Sequence, residues 1–123
     1  MKRIILDSSF IISAVKKKID IFYELQEYPE ILVPEQVIQE IFRISQSKQS
    51  AKDKQAATLA MKIIEVESLK FKKIDLGKGH TDDLIVKYAE KNPEIFVATL
   101  DKEIKSKLKE RVIVIKSKNI RLS

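Results

Sequence analysis

Apolar residues in this chain fall into short unbroken runs and into stripes spaced three and four apart, separated by charged segments. The run Lys2-Arg3-Ile4-Ile5-Leu6 reads as a buried strand bounded by charge. Ser8 or Ser9 can cap a helix that follows through Val15, with Phe10, Ile11, Ile12 and Val15 on its buried side. A second short helix is expected over Ile19–Tyr28, ended near Pro29, before a strand at Glu30–Val33. Pro34 suits the first turn of a helix to about Ser47, whose stripe is Val37, Ile38, Ile41 and Ile44. Ser50 and Asp53 resemble a capping box opening a helix to about Glu67, with Ala56, Leu59, Ala60, Ile63 and Ile64 inward.

The second half repeats the alternation. Phe71–Ile74 reads as a strand, Asp75–His80 as a loop holding both glycines, and Thr81–Lys91 as a helix. Ile95–Leu100 is a strong strand, Lys102–Glu110 a basic helix and Val112–Lys116 a last strand. Strands alternating with helices predict an α/β fold, a parallel sheet covered on both faces. Open sheets of this kind bind ligands beyond the carboxyl ends of their strands, where the strand order reverses. If the first strand and Ile95–Leu100 are neighbours at that point, Asp7 and Asp101 face each other across the crevice.

Composition narrows the chemistry. At 123 residues the chain is expected to form one domain, residues 1–123, without linkers or internal repeats. No apolar run approaches the ~18 residues of a membrane span, and the first strand is too short and too soon charged for a secretory signal. The expected location is cytoplasmic, with no membrane association. There is no cysteine, hence no disulfide, thiolate metal site or thiol nucleophile. The single histidine, His80, excludes RNA cleavage by paired imidazoles and argues against a histidine-rich zinc site. A net charge of +6 and a pI near 9.4 favour a polyanionic partner.

Against that basic background, four acids are candidates for a shared site. Asp7 and Asp101 each close an apolar strand, where Asp also serves as a helix cap; Ser8 and Ser9 stand ready to cap in place of Asp7. Glu40 borders the apolar stripe of its helix rather than opposing it. Asp82 and Asp83 open a helix, where negative charge complements the backbone dipole. Asp82 shares the face of Ile85, Val86 and Ala89, whereas Asp83 points away, so Asp82 is the better ligand and Asp83 the outer helper. Thr99 can orient Asp101 or a water. Two carboxylates ~4 Å apart repel by about 4 kcal/mol at an effective dielectric near 20, so a cluster calls for a cation. Oxygen-only ligands suit Mg²⁺ or Mn²⁺, which can activate water and stabilise charge developing on a phosphodiester.

Asp7-Ser8-Ser9 after the first strand, Glu40 on a mid-chain helix, Gly79-His80-Thr81-Asp82-Asp83-Leu84-Ile85-Val86 and Thr99-Leu100-Asp101 together resemble the PIN domain, in order and over nearly the whole chain. The resemblance implies a three-layer α/β sandwich with a central, mostly parallel sheet flanked by helices. It implies an Mg²⁺- or Mn²⁺-dependent endoribonuclease acting on single-stranded RNA, with metal ligation and catalysis by Asp7, Glu40, Asp82 and Asp101. Ser8, Ser9, Asp83 and Thr99 would support them. Two stretches, Lys78-Gly79-x-x-Asp82-Asp83 and Thr99-x-Asp101-Lys102-Glu103-Ile104-Lys105, are similar to an archaeal branch related to the pre-ribosomal RNA endonuclease. VapC toxins share the same four acids. The partners implied are RNA, an antitoxin or ribosome-assembly factor, and a second copy of the chain. Glu103 stands where these relatives often carry Asp.

Lysines 16–18 follow the first helix and Lys102, Lys105, Lys107, Lys109 and Arg111 load the last one. Lys16, Lys17, Lys102 and Lys105 are the candidates for an RNA backbone track. Aromatics make up only 7% and fall on apolar stripes, so base-stacking platforms have no support. Two rivals remain: a non-catalytic RNA-binding assembly module of the same fold, and a receiver-like phosphoacceptor, disfavoured because Asp7 lacks an acidic neighbour.

Overall fold

In the computed structural model, which describes residues 2–48 and 50–123, the chain folds into six strands and six helices. The strands are β1 (Arg3–Leu6), β2 (Glu30–Pro34), β3 (Lys72–Ile74), β4 (Ile95–Ala98), β5 (Val112–Lys116) and β6 (Asn119–Leu122). The helices are α1 (Ser8–Lys16), α2 (Ile21–Glu24), α3 (Glu35–Gln46), α4 (Ala51–Val66), α5 (Thr81–Lys91) and α6 (Lys102–Leu108). One sheet runs in the order β3-β2-β1-β4-β5-β6, parallel except for the antiparallel β5–β6 pair.

β1 lies at the centre with Ile4, Ile5 and Leu6 fully buried. Only an unbroken apolar run can fill a strand covered on both faces, which is why β1, β2 and β4 read as Ile, Leu and Val. The chain walks outward from β1 to β3, then jumps back to lay β4 on the other side of β1, with Leu6 opposite Ala98. That jump is the switch point. Right-handed crossovers then put α1, α3 and α4, which pack together, on one face, and α5 with α6 on the other. No described helix is long and apolar enough to cross a membrane.

Several expected boundaries shift. α2 is a single turn, capped by Asp20 through the Tyr23 amide, rather than a helix over the whole of Ile19–Tyr28. Pro34 ends β2 instead of sitting inside α3. Ser50 caps α4 as expected, accepting from the Asp53 amide at 3.2 Å. The inward face of α4 is Ala56, Ala57, Ala60 and Ile64; Leu59, expected there, is 50% exposed. Small alanines let α4 lie close against α1 and α3. β4 stops at Ala98, and α6 gives way after Leu108 to a 3-10 turn over Lys109–Arg111.

β6 has no counterpart in the sequence expectations. It folds back on β5 through a turn at Ser117, whose φ of +57° is unusual for a side chain-bearing residue. At the opposite edge, β3 is only three residues long, with Lys72 and Lys73 exposed.

Candidate active site

The C-terminal ends of β1 and β4 deliver Asp7 and Asp101 to the switch point, as neighbouring strands must. The Asp7 amide donates to the Ala98 carbonyl at 2.9 Å, continuing the sheet ladder up to the carboxylate. Asp7 is 3% exposed, yet every polar atom it presents is used. Its Oδ1 accepts from the Ser8 amide at 2.9 Å. Its Oδ2 accepts from Thr99 Oγ1 at 2.6 Å and from Ser9 Oγ at 3.1 Å.

These two hydroxyls also act as acceptors. Leu100 N donates to Ser9 Oγ at 3.1 Å and Asp101 N donates to Thr99 Oγ1 at 3.0 Å. Each hydroxyl has one proton, and that proton points to Asp7. The backbone around Asp101 is thereby tied to the carboxylate of Asp7 through two side chains. Thr99, which follows β4, and Ser9, in the first turn of α1, play matching parts in this network.

Capping corrects one expectation. Asp7, not Ser8 or Ser9, is the N-cap of α1. Ser8 instead turns its hydroxyl to Glu40 Oε1 at 3.1 Å, fixing an α3 carboxylate beside the strand ends. Asp101 likewise caps α6, its Oδ1 accepting from the Glu103 and Ile104 amides at 2.8 and 3.3 Å. Both strand-end acids therefore cap the helix that follows them. Replacing Asp7 by Asn will disturb packing, because both of its oxygens accept hydrogen bonds in a buried setting.

Asp82 comes from the other layer. The loop before α5 turns through Gly77 and Gly79, at φ +96° and +140°, conformations that favour glycine. Gln36 braces that loop: its Nε2 donates to Asp75 Oδ1 and to the Gly77 carbonyl, and its Oε1 accepts from the Leu76 amide. Nothing in the sequence marked Gln36 for this task. Asp82 then lies half-buried at the first turn of α5, while Asp83 is exposed. The helical wheel separated the two correctly.

The four carboxylates feel one another. Burial lifts Asp82 to about 6, and the charges of Asp7, Asp101 and Glu40 add to the rise. Burial also pushes Glu40 up; the Ser8 hydrogen bond opposes this, Asp7 adds to it, and Arg43 and His80 pull the other way. Asp7 is raised chiefly by burial, with hydrogen bonds from Thr99, Ser8 and Ser9 opposing and Asp101 adding. No Lys or Arg forms an ion pair with any of the four among the described residues. Nor are any three acidic or imidazole groups among the described residues gathered tightly enough to enclose an ion as they stand. The donor set is nonetheless hard oxygen throughout. Glu40 Oε2, Asp101 Oδ2 and both Asp82 oxygens have no hydrogen bond among the described residues and remain free to accept one or to ligate. That set fits a divalent cation of the Mg²⁺ or Mn²⁺ type.

The basic candidates divide. Lys102 and Lys105 are exposed on α6, directly after Asp101. Lys16 lies eight residues along α1 from Ser8, about 12 Å away, and its ammonium is paired with Asp53. Lys17 Nζ donates to the Ser117 carbonyl at 2.9 Å. Arg111 is turned inward, its Nη1 within 2.8–3.2 Å of the carbonyls of Ala89, Asn92 and Ile95. It is a staple for the end of α5, not part of a basic track.

Comparison with known proteins agrees with this architecture. The profile of the PIN like domain matches residues 4–119. Ribonuclease VapC4 of Methanocaldococcus jannaschii is 32% identical over 126 aligned positions, covering 96% of this chain and 93% of that protein. The solved PIN domain endonuclease Utp24 superposes with a TM-score of 0.78 at 21% identity, over 98% of this chain and 90% of its own. PAE2754 from Pyrobaculum aerophilum superposes with a TM-score of 0.58 at 16% identity, over 90% and 83% of the two chains. Strand order, switch-point acids and family profile converge, and the chain belongs to the PIN-like domain family.

Proposed function

We propose that this protein is a cytoplasmic, divalent-metal-dependent endoribonuclease that hydrolyses phosphodiester bonds of single-stranded RNA. What supports the reading is that Asp7 and Asp101 end neighbouring strands at the switch point, that Glu40 is hydrogen-bonded to Ser8 beside them, that Asp82 lies near enough to feel all three charges, and that none of the four has an ion pair among the described residues. RNA as the substrate class rests on the likeness to a named ribonuclease across almost the full chain.

Asp7, Asp82 and Asp101 would hold Mg²⁺ or Mn²⁺, and Glu40 would hold a second ion or orient the attacking water. When bound, such a cation supplies a counter-charge to the acids, lowers the pKa of water and stabilises charge developing on the phosphodiester. The protein's own groups do the rest. Ser8 fixes one oxygen of Glu40 and leaves the other to accept a proton from water. Thr99 and Ser9 keep Asp7 aimed into the crevice, and Asp101 is held by two helix amides. Asp83, exposed on the next position of α5, serves at the outer margin. Lys102 and Lys105 on α6 lead the RNA backbone towards the crevice; Lys16 and Lys17, already engaged, contribute less. Hydrolysis leaves a 5′-phosphate and a 3′-hydroxyl.

The likeness to ribonuclease VapC4 favours a toxin-type role, with a small antitoxin as partner, over ribosomal RNA processing. The test is cleavage of single-stranded RNA with Mn²⁺ and with EDTA, for wild type and Asp82→Asn. Wild type should cut only with Mn²⁺, and the variant should lose roughly 100-fold or more. A protein that retains RNA without product in either buffer is a binding module, and the nuclease reading fails.

A further inference from the structure

Beside the carboxylates a second cleft opens, about 590 Å³ in volume, between α3 and the loop that leads into α5. Glu35, Gln36, Gln39 and Arg43 form one wall; Asp75, Lys78 and Thr81 contribute the other. Its two acids already have partners within the protein. Glu35 stands 3.7 Å from the Lys73 ammonium, and Asp75 accepts from Gln36 and from the Gly77 amide. Its two bases do not: neither Arg43 nor Lys78 forms an ion pair among the described residues.

The cleft adjoins the site directly. Arg43 follows Glu40 by three positions on α3, and residues three apart on a helix lie side by side. Arg43 is near enough for its charge to act on the Glu40 carboxyl. Its loop wall is set in advance by the three Gln36 hydrogen bonds. A guanidinium and an ammonium left without anions, on opposite walls of a polar cleft beside a hydrolytic site, suit a phosphodiester. No aromatic ring lines the cleft among the described residues, so it is fitted to a backbone rather than to stacked bases.

We infer that this cleft is a substrate subsite in which Arg43 and Lys78 grip the RNA phosphate next to the one being cut, while Gln39 faces the attached nucleotide. The inference rests on the ribonuclease reading above and specifies how the strand is held. It makes Arg43 a substrate-binding residue whose loss weakens capture more than turnover.

Steady-state cleavage of a short single-stranded RNA in Mn²⁺ tests it, using wild type, Arg43→Ala, Arg43→Lys and Lys78→Ala. Each substrate is also prepared with a neutral methylphosphonate at the phosphate on either side of the cut, one at a time. Arg43→Ala should raise KM roughly 10-fold, as loss of one charge-assisted contact does, with kcat changing by no more than about 3-fold. Arg43→Lys should recover part of that loss, and Lys78→Ala should show a smaller rise. One methylphosphonate should cost wild type at least as much as Arg43→Ala does, and should add in Arg43→Ala no more than the small rise that Lys78→Ala causes. Lys62→Ala, which removes a charge from exposed α4, should leave KM within about 2-fold. An unchanged KM in Arg43→Ala, or losses that multiply when variant and methylphosphonate are combined, overturns the subsite while leaving the nuclease intact. A wild type that never cuts with Mn²⁺ overturns both.

Discussion

The two ends of the central strands handle charge in opposite ways. At the N-terminal end of β1, Arg3 is paired with Glu94 at 3.0 Å and lies 3.6 Å from Glu30, residues that precede β4 and open β2. Close by, Arg111 places its guanidinium against three carbonyls at the end of α5 and the start of β4. Arg3, Glu30, Glu94 and Arg111 each have a partner of the right kind there. At the C-terminal end, some four residues along the same strands, Asp7, Glu40, Asp82 and Asp101 lie near enough for their charges to act on one another, with no ion-paired cation among the described residues. Identical strand neighbours and the same layers surround both ends, so the fold does not demand the imbalance. One rim is arranged to hold the sheet together. The other keeps unpaired negative charge, which a divalent cation would offset.

The contrast can be broken from either side. The largest expected effect on stability is at the compensated rim: Arg111→Met should lose about 2–4 kcal/mol in urea denaturation, because three carbonyls each lose a charged donor, while RNA cleavage per folded molecule stays at the wild-type level. At the other rim, saturating Mn²⁺ should add about 2–3 kcal/mol to wild-type stability at ~100 times its dissociation constant, and clearly less to Asp82→Asn. Equal gains in both proteins would separate the cation from the carboxylates.

A smaller effect follows from Asp82 itself. Its carboxyl holds a proton more tightly in the folded chain, at about 6, than the ordinary value of 3.8. Between those values the native state binds more protons than the unfolded one, so stability falls as pH rises from about 4 to about 6. Without divalent cation, Asp82→Asn should remove roughly 1–2 kcal/mol of that fall and be the more stable protein at pH 7. A variant less stable than wild type at pH 7 would mean that the ionised carboxylate is stabilised by the fold. The least effect is expected from Lys16→Ala, where an exposed pair is lost far from the crevice: melting temperature and RNA binding should both stay within error of wild type.

What could be read from residues alone depended on how local the cause was. Asp7 and Asp101 follow apolar runs, and Asp82 shares a wheel face with Ile85 and Val86, so each was visible from a few neighbouring positions. The partnership of Ser9 with Leu100, and of Thr99 with Asp7, spans about ninety residues. It exists only because β4 returns to lie beside β1, and no short motif records that. Capping of α1 by Asp7, rather than by Ser8 or Ser9, was hard to choose for a similar reason. Three adjacent residues could all cap, and the choice was decided by Glu40, which claims Ser8 from a different helix. β6 escaped notice because Asn119-Ile120-Arg121-Leu122 buries little, and its turn uses Ser117 in place of a glycine. Leu59 shows the reverse error: helical spacing placed it on the stripe, but α4 meets its neighbours along alanines and leaves it half exposed.

Both margins of the sheet are closed to newcomers. β3 offers a segment three residues long, two of them exposed lysines, and β6 spans four residues with Arg121 exposed, followed by Ser123 tied back to Val112. A foreign strand laid against either border would gain few hydrogen bonds and would meet like charge. Stacking of copies edge to edge into fibrils is therefore disfavoured by the two border strands themselves.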